Sequence, residues 1–394
     1  MRIMKKLLLI PVIILLAGAL VAGCGSQSVT TTTAATTVTT AAAPATTTTA
    51  VSETTTTAAA TVSDFYVQKA VLVGTNVPTT DWHYDVPLFD PTSGQLYLAD
   101  ASNYGVDVWD TSSGKYVALV GGKGTFAGPA GADHFDYSQV GPNGLALDDQ
   151  GLLWVGDGDG SVKVIDTKAL KVVQTIVTGA AKKADALALD SADGLMLVTC
   201  PEETARFVAF IDVKTYKLVG TLKLPDAVGG MGFPAYNATT GKFYVAVTTK
   251  TGGEVDVIDP LKRAVESKID LGKDCAPTGI VFGPGTQLLV GTAATDTMAA
   301  GSPAIIDVAT GKILARLDAY APQVGGIDMV AYDSKANRYF LADTAGIGVI
   351  DAGTFAPLPN INDGSRVIAV DSATNTVYKP NDTKGVLVYI LGVQ

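Results

Sequence analysis

Apolar and polar residues alternate in short runs along the chain, and the runs recur in a fixed order. In the first copy Val86-Pro87-Leu88-Phe89-Asp90 is followed by Gly94-Gln95-Leu96-Tyr97-Leu98-Ala99-Asp100 and then by Val106-Asp107-Val108-Trp109-Asp110. Each run is bounded by Gly, Pro, Asn, Asp or Ser, and none carries a convincing helical period. That pattern predicts short, half-buried antiparallel strands. The turn between the first two strands falls at Gly94, Gly151, Gly194, Gly241, Gly285, Asn337 and Asn375, at intervals of 38 to 57 residues. The third strand is the clearest marker. It closes as Trp109-Asp110, Ile165-Asp166, Ile211-Asp212, Ile258-Asp259, Ile306-Asp307 and Ile350-Asp351, and a fourth strand such as Lys171–Val177 follows.

Repeats of four strands with a period of about 40–45 residues are the mark of propeller blades. The seventh copy stops after Val386-Leu387-Val388-Tyr389-Ile390 and lacks a fourth strand. Ahead of the first copy, Lys69-Ala70-Val71-Leu72-Val73-Gly74 stands alone and parallels Lys115–Gly121, a fourth strand. If this segment completes the last blade, two exposed edges vanish together. The expected fold is therefore all-β: a seven-bladed β-propeller over residues 65–394, its ring closed by an N-terminal strand.

The units resemble the YVTN/NHL-type repeat. Gly141-Pro142-Asn143-Gly144-Leu145-Ala146-Leu147-Asp148 and Leu153-Trp154-Val155-Gly156-Asp157 match its first two strands, and Val164-Ile165-Asp166 matches its third. The second blade is nearest the pattern; the fourth and fifth drift from it. The resemblance implies the fold, with roles that range from binding platform and cell-surface protein to occasional enzyme. Fold alone does not choose among them.

The N-terminus reads as an address. Arg2, Lys5 and Lys6 precede the apolar stretch Leu7–Leu20, which is short for a membrane span, and Val21-Ala22-Gly23-Cys24 resembles a bacterial lipobox. Residues 1–23 are expected to be a lipoprotein signal peptide, with Cys24 as the lipid attachment site. Residues 24–64, dominated by Thr, Ala and Val, have no apolar face to bury and read as a disordered tether. This address implies an extracytoplasmic chain held to a membrane. The net charge of −10 falls by three, to −13, without Arg2, Lys5 and Lys6. With no basic cluster, such a charge argues against nucleic-acid binding. The remaining cysteines, Cys200 and Cys275, fall in loops expected on one face; a bridge and two separate thiols are both compatible with export.

Aligned copies place Asp85, Asn143, Asp185, Gly232, Thr278, Asp328 and Arg366 just inside the first strand, where blades open on the central channel. Asp157 and its counterparts end the second strand on the same face. Converging oxygen ligands there suit calcium or a similar cation; the same groups suit a sugar, peptide or small molecule. Asp at a strand end also caps turns, and this is the weightier reading for the second-strand set. The two histidines lie in matching contexts, His83-Tyr84-Asp85 and His134-Phe135-Asp136. They are candidates for a transition-metal or ligand site, against a simpler role in aromatic loop packing. Asp157-Gly158-Asp159-Gly160 lacks the downstream Glu of a calcium loop and reads as a turn.

Metalloprotease, serine-hydrolase, dithiol and phosphate-loop motifs are missing. The leading expectation is a binding or interaction module for a protein, glycan or small ligand at the channel face. The alternative is a cation-dependent lactonase or esterase: Asn143 and Asp157 resemble two of the four metal ligands of the gluconolactonase family, without the Glu and the second Asn.

Overall fold

A computed structural model describes residues 62–74, 82–129, 136–294, 301–320 and 326–393. They form seven four-stranded antiparallel sheets, six of them running in chain order from an inner strand outward. The inner strands are Tyr84–Asp90, Leu145–Leu147, Leu187–Asp190, Gly230–Asn237, Pro277–Phe282, Ile327–Asp333 and Ala369–Asp371. Among the described residues the one helical element is a single 3₁₀ turn, Asp318–Tyr320.

Blade seven is composite. Val62–Leu72 pairs antiparallel with Gly385–Val393, with Tyr66 opposite Leu391, Gln68 opposite Tyr389 and Leu72 opposite Val386. The closing strand begins at Val62, slightly earlier than the pattern of apolar residues indicates. Cys24 and the rest of the expected signal and tether up to residue 61 lie outside the described residues.

The core is distributed rather than central. Seven apolar clusters occur, one at each junction between neighbouring blades. In blade one, Leu96, Leu98 and Trp109 pack toward blade seven with Leu72, Tyr378 and Val386. From the same blade Tyr97, Ala99 and Val108 pack toward blade two with Leu153, Val155 and Ile165. Successive residues of a strand point to opposite faces, so a middle strand buried on both sides reads as an apolar run. The last junction, blade seven to blade one, makes the arrangement a ring.

The ends of the strands explain the recurring Asp. Asp110, Asp166, Asp212, Asp259, Asp307 and Asp351 each accept the backbone N–H of the residue two positions on. Asp90, Asp148, Asp190, Asp333 and Asp371 do the same at the ends of inner strands. These side chains mimic a backbone turn, and that use occupies them.

Candidate functional site

The opposite ends of the inner strands are irregular in a shared way. In blade one Tyr84 faces Asp100 and Pro87 faces Leu98, so three steps on the inner strand match two on its neighbour. The same three-for-two mismatch falls between Met231 and Pro234, Pro277 and Ile280, and Ile327 and Val330. Each is a β-bulge, which bends a strand and re-aims a side chain. The bulges hold Asp85, Gly232, Thr278 and Asp328. In the other three blades regular pairing begins only after Asn143, Asp185 and Arg366. The irregularity thus coincides with the aligned channel position in all seven copies.

A cavity of about 130 Å³ opens there, lined by Asp85, Asn143, Asp185, Asp328 and Arg366 with His83, Tyr84, Tyr137, Lys183 and Phe233. Five blades supply the charged and amide side chains. Blades four and five withhold theirs. A Cβ on Gly232 would come within 2.3 Å of the Thr278 carbonyl oxygen, and Thr278 turns its hydroxyl to the Ile327 carbonyl. Phe233 gives this side of the cup an apolar wall. It also lines a deeper apolar cavity of about 200 Å³ with Val86, Leu145, Leu187, Ile280 and Val330. Laterally, His83, Tyr84, Tyr137 and Arg366 are shared with a cleft of about 670 Å³ between blades seven and one.

Charges in the cup are unevenly matched. Lys183 Nζ pairs with Asp185 at 3.0 Å, and Arg366 lies 3.6 Å from Asp328. Asp85 makes no hydrogen bond or ion pair with another described residue. Burial, with Asp185 and Asp328 nearby and only partly offset by Lys183 and Arg366, pushes the Asp85 carboxyl up to about 7. Burial also raises Asp328, against the pull of Arg366. Burial opposes the Lys183 charge, but Asp185 and Asp85 outweigh it and hold the ammonium above its usual range.

Neighbouring groups fix the cup. Asn143 is fully buried. Its Nδ2 donates to the carbonyls of Val140 at 2.8 Å and Ala184 at 3.3 Å, which orients the amide, and its Oδ1 has no partner. Tyr84 donates its hydroxyl to Asp382 at 2.8 Å and packs edge-on against Trp82. Buried Lys379 donates to the Asp363 carbonyl and so holds the loop that delivers Arg366. Burial pushes its ammonium down to about 8.

Other sequence candidates are placed elsewhere. Asp157 does not line the cup. Its carboxylate is buried against Lys163 Nζ and accepts the N–H groups of Gly158 at 2.8 Å and Ala127 at 3.1 Å. Lys163 also reaches Asp159 at 3.0 Å and lies over the Phe126 ring. The Asp157–Gly160 segment is a turn, closed by the Gly160 N–H on the Asp157 carbonyl. Asp136 is exposed and accepts the Ser138 N–H and hydroxyl; these bonds hold its carboxyl below the usual range. His134 lies outside the described residues, so the paired-histidine idea is represented only by His83, on the cup wall. Cys200 and Cys275 are free and buried in different blades; no bridge joins them.

Among the described residues no group of three or more His, Cys, Asp or Glu is arranged to hold a metal ion. The two residues that resemble gluconolactonase ligands are not brought together as a donor set: Asn143 lines the cavity and Asp157 is occupied by Lys163. Lys183 and Phe233 were not anticipated. Lys183 had a legible signal, since Lys183-Ala184-Asp185 repeats the spacing of His83-Tyr84-Asp85 at the next polar copy but one.

No protein-family model matches the sequence, and no curated protein matches it. Solved structures match in shape. A chain of a mitotic checkpoint complex superposes with a TM-score of 0.61 at 13% identity, over 88% of this chain and 100% of that one. A chain of Kuenenia stuttgartiensis hydrazine synthase gives 0.63 at 15% identity, over 84% of this chain and 100% of that one. At such identities the likeness is one of fold, that of a β-propeller.

Proposed function

We propose that this chain is a lipid-anchored extracytoplasmic β-propeller of the YVTN/NHL type that binds a small polar ligand in the channel cup. The observation that carries the binding reading is convergence: Asp85, Asn143, Lys183, Asp185, Asp328 and Arg366 come from five blades to one cavity. Aspartates that end the first and third strands are spent on turns, whereas the three in the cup cap nothing. A concave site with few convergent polar groups and an apolar wall is the usual form of a small-ligand pocket. The anchor rests on Val21-Ala22-Gly23-Cys24 and on the Thr/Ala-rich tract that follows.

The test is a ligand-observed NMR screen of the full-length chain against a library of small sugars, amino acids, amines and carboxylates. Members that bind should lose about tenfold or more in affinity in the Asp328→Asn/Arg366→Gln double variant, because charge-assisted hydrogen bonds are the strong ones. A library without a single binder, or binders indifferent to the double variant, refutes the cup as a ligand site. For the anchor, Cys24→Ser should abolish metabolic labelling by a fatty-acid probe and release the chain from membranes; unchanged labelling refutes it.

A further inference from the structure

We infer that the cup is built for a primary ammonium carrying a short apolar group, with the ammonium held by Asp85 and Asn143 and the apolar group directed past Phe233. This rests on the reading of the cup as a ligand site and names the chemistry of the ligand.

Two acceptors on the cup wall lack donors. Asp85 has no hydrogen-bond or ion-pair partner among the described residues, whereas Asp185 and Asp328 face Lys183 and Arg366. Asn143, an independent feature, is fully buried with an unpartnered Oδ1. Its Nδ2 is committed to two carbonyls, so the amide presents only an acceptor. A buried acceptor such as the Asn143 oxygen is costly to leave without a donor, and a donor-rich ligand that reaches it recovers that cost. An ammonium offers three N–H donors and no acceptor. It also balances the charge, since three carboxylates face two cations in the cup. A carboxylate ligand would add to the excess, and a neutral alcohol would leave it.

The apolar requirement comes from the other wall. Phe233 borders both the cup and the apolar cavity below it. A short alkyl chain extending from the ammonium site meets Val86, Leu187 and Ile280 rather than water, and each buried methylene adds about fourfold in affinity.

Protons compete with such a ligand for Asp85. The charged and titratable groups facing it are Lys183 and Asp185 from blade three, Asp328 from blade six, Arg366 from blade seven, His83 and Tyr84 on its own segment, and Tyr137. With the empty-cup carboxyl near 7, binding an alkylammonium expels a proton at pH 6 and almost none at pH 8. Affinity should therefore rise about tenfold from pH 6 to pH 8, while the amine stays charged throughout.

The experiment is calorimetry of the full-length chain with n-butylamine, n-butanol and butyrate at pH 6 and 8. The expected result is butylamine binding at least about tenfold tighter than the other two, with the stated rise and with proton uptake by the buffer at pH 6. Asp85→Asn should remove both the affinity and its pH dependence, which separates Asp85 from His83. The wild-type pH profile stands even if that variant folds poorly. Butanol or butyrate binding as tightly as butylamine, or a butylamine affinity flat with pH, overturns the inference. If other library members bind the cup and butylamine does not, the ammonium inference fails while the ligand-site reading survives. If nothing binds, both fail.

Discussion

Aspartate does three different jobs in this chain, and its surroundings decide which. At turns it accepts backbone N–H groups, half-exposed at the ends of most third strands and buried at the ends of several inner ones; Ser112 hydrogen bonds hold Asp110 below its usual range. In the cup it faces other charges. Within blade one it is buried beside its own kind: Asp107 lies inside the sheet next to Asp100, hydrogen-bonded to it and to the Tyr116 hydroxyl at 2.7 Å. Burial first, then the Asp100 charge, pushes the Asp107 carboxyl up to about 8. An unfolded aspartate titrates near 3.8, so between about 4 and 8 the native state keeps a proton that the unfolded chain has released. Stability therefore falls as pH rises through that window. Asp107→Asn keeps the shape and the hydrogen bonds without the proton. It should raise stability at pH 8 by on the order of 2 kcal/mol, and by much less at pH 4. Urea melts of both chains at pH 4, 6 and 8 check this; parallel curves across the range would show that Asp107 does not carry the proton.

At the scale of the strand and its turn, backbone conformation selects the residue. All seven turns between first and second strands place one residue in the left-handed region, from Asn375 at φ +53 to Gly151 at φ +77. Gly adopts this freely and Asn tolerates it, whereas β-branched residues are outliers there. Asn375 adds a buried Oδ1 without a partner. Asn375→Gly should accordingly be neutral or stabilising by up to about 1 kcal/mol, and Asn375→Val should cost about 1–2 kcal/mol; equal thermal midpoints for the two variants would contradict the strain argument. These turns were legible in the sequence because conformation restricts identity there, and so were the strands, whose two buried faces demand apolar runs. The bulges were not. A bulge is a mismatch between two paired strands, and a one-dimensional pattern of apolar residues carries no record of which residue faces which. Lys183 and Phe233 escaped for the same reason, because the bulges and loops rather than the alternation bring them to the cup. Asp157 stands apart for the opposite reason, and the structural role is already its weightier reading in the sequence. It shares the aligned position of a channel residue, yet Lys163, six residues on in the next strand, claims its carboxylate.

At the scale of the molecule, stability is circular. Every apolar cluster joins two blades, so no blade is complete without both neighbours, and one blade is closed by a strand from far along the chain. There Leu72 packs with Trp82, Leu98 and Trp109 of blade one, while Tyr66 stacks edge-on against Phe340 of blade six. The backbone permits this closure at one tight point: Gly385 has φ +101, and a Cβ on it would come within 2.3 Å of the Leu72 carbonyl oxygen. Gly385→Val should push the closing strand away, at a cost of about 2 kcal/mol or more from strain and lost burial. Deleting residues 62–74 should go further and leave Gly385–Val393 as an unpaired edge, prone to pair with other chains. The expected readouts are a lowered thermal midpoint for the substitution and oligomers on size-exclusion chromatography for the deletion. Because an open edge accepts a matching strand through main-chain hydrogen bonds, a synthetic peptide of residues 62–74 should return the deleted chain to a monomer. A deleted chain that stays monomeric and melts like the parent would mean that the ring does not depend on its borrowed strand.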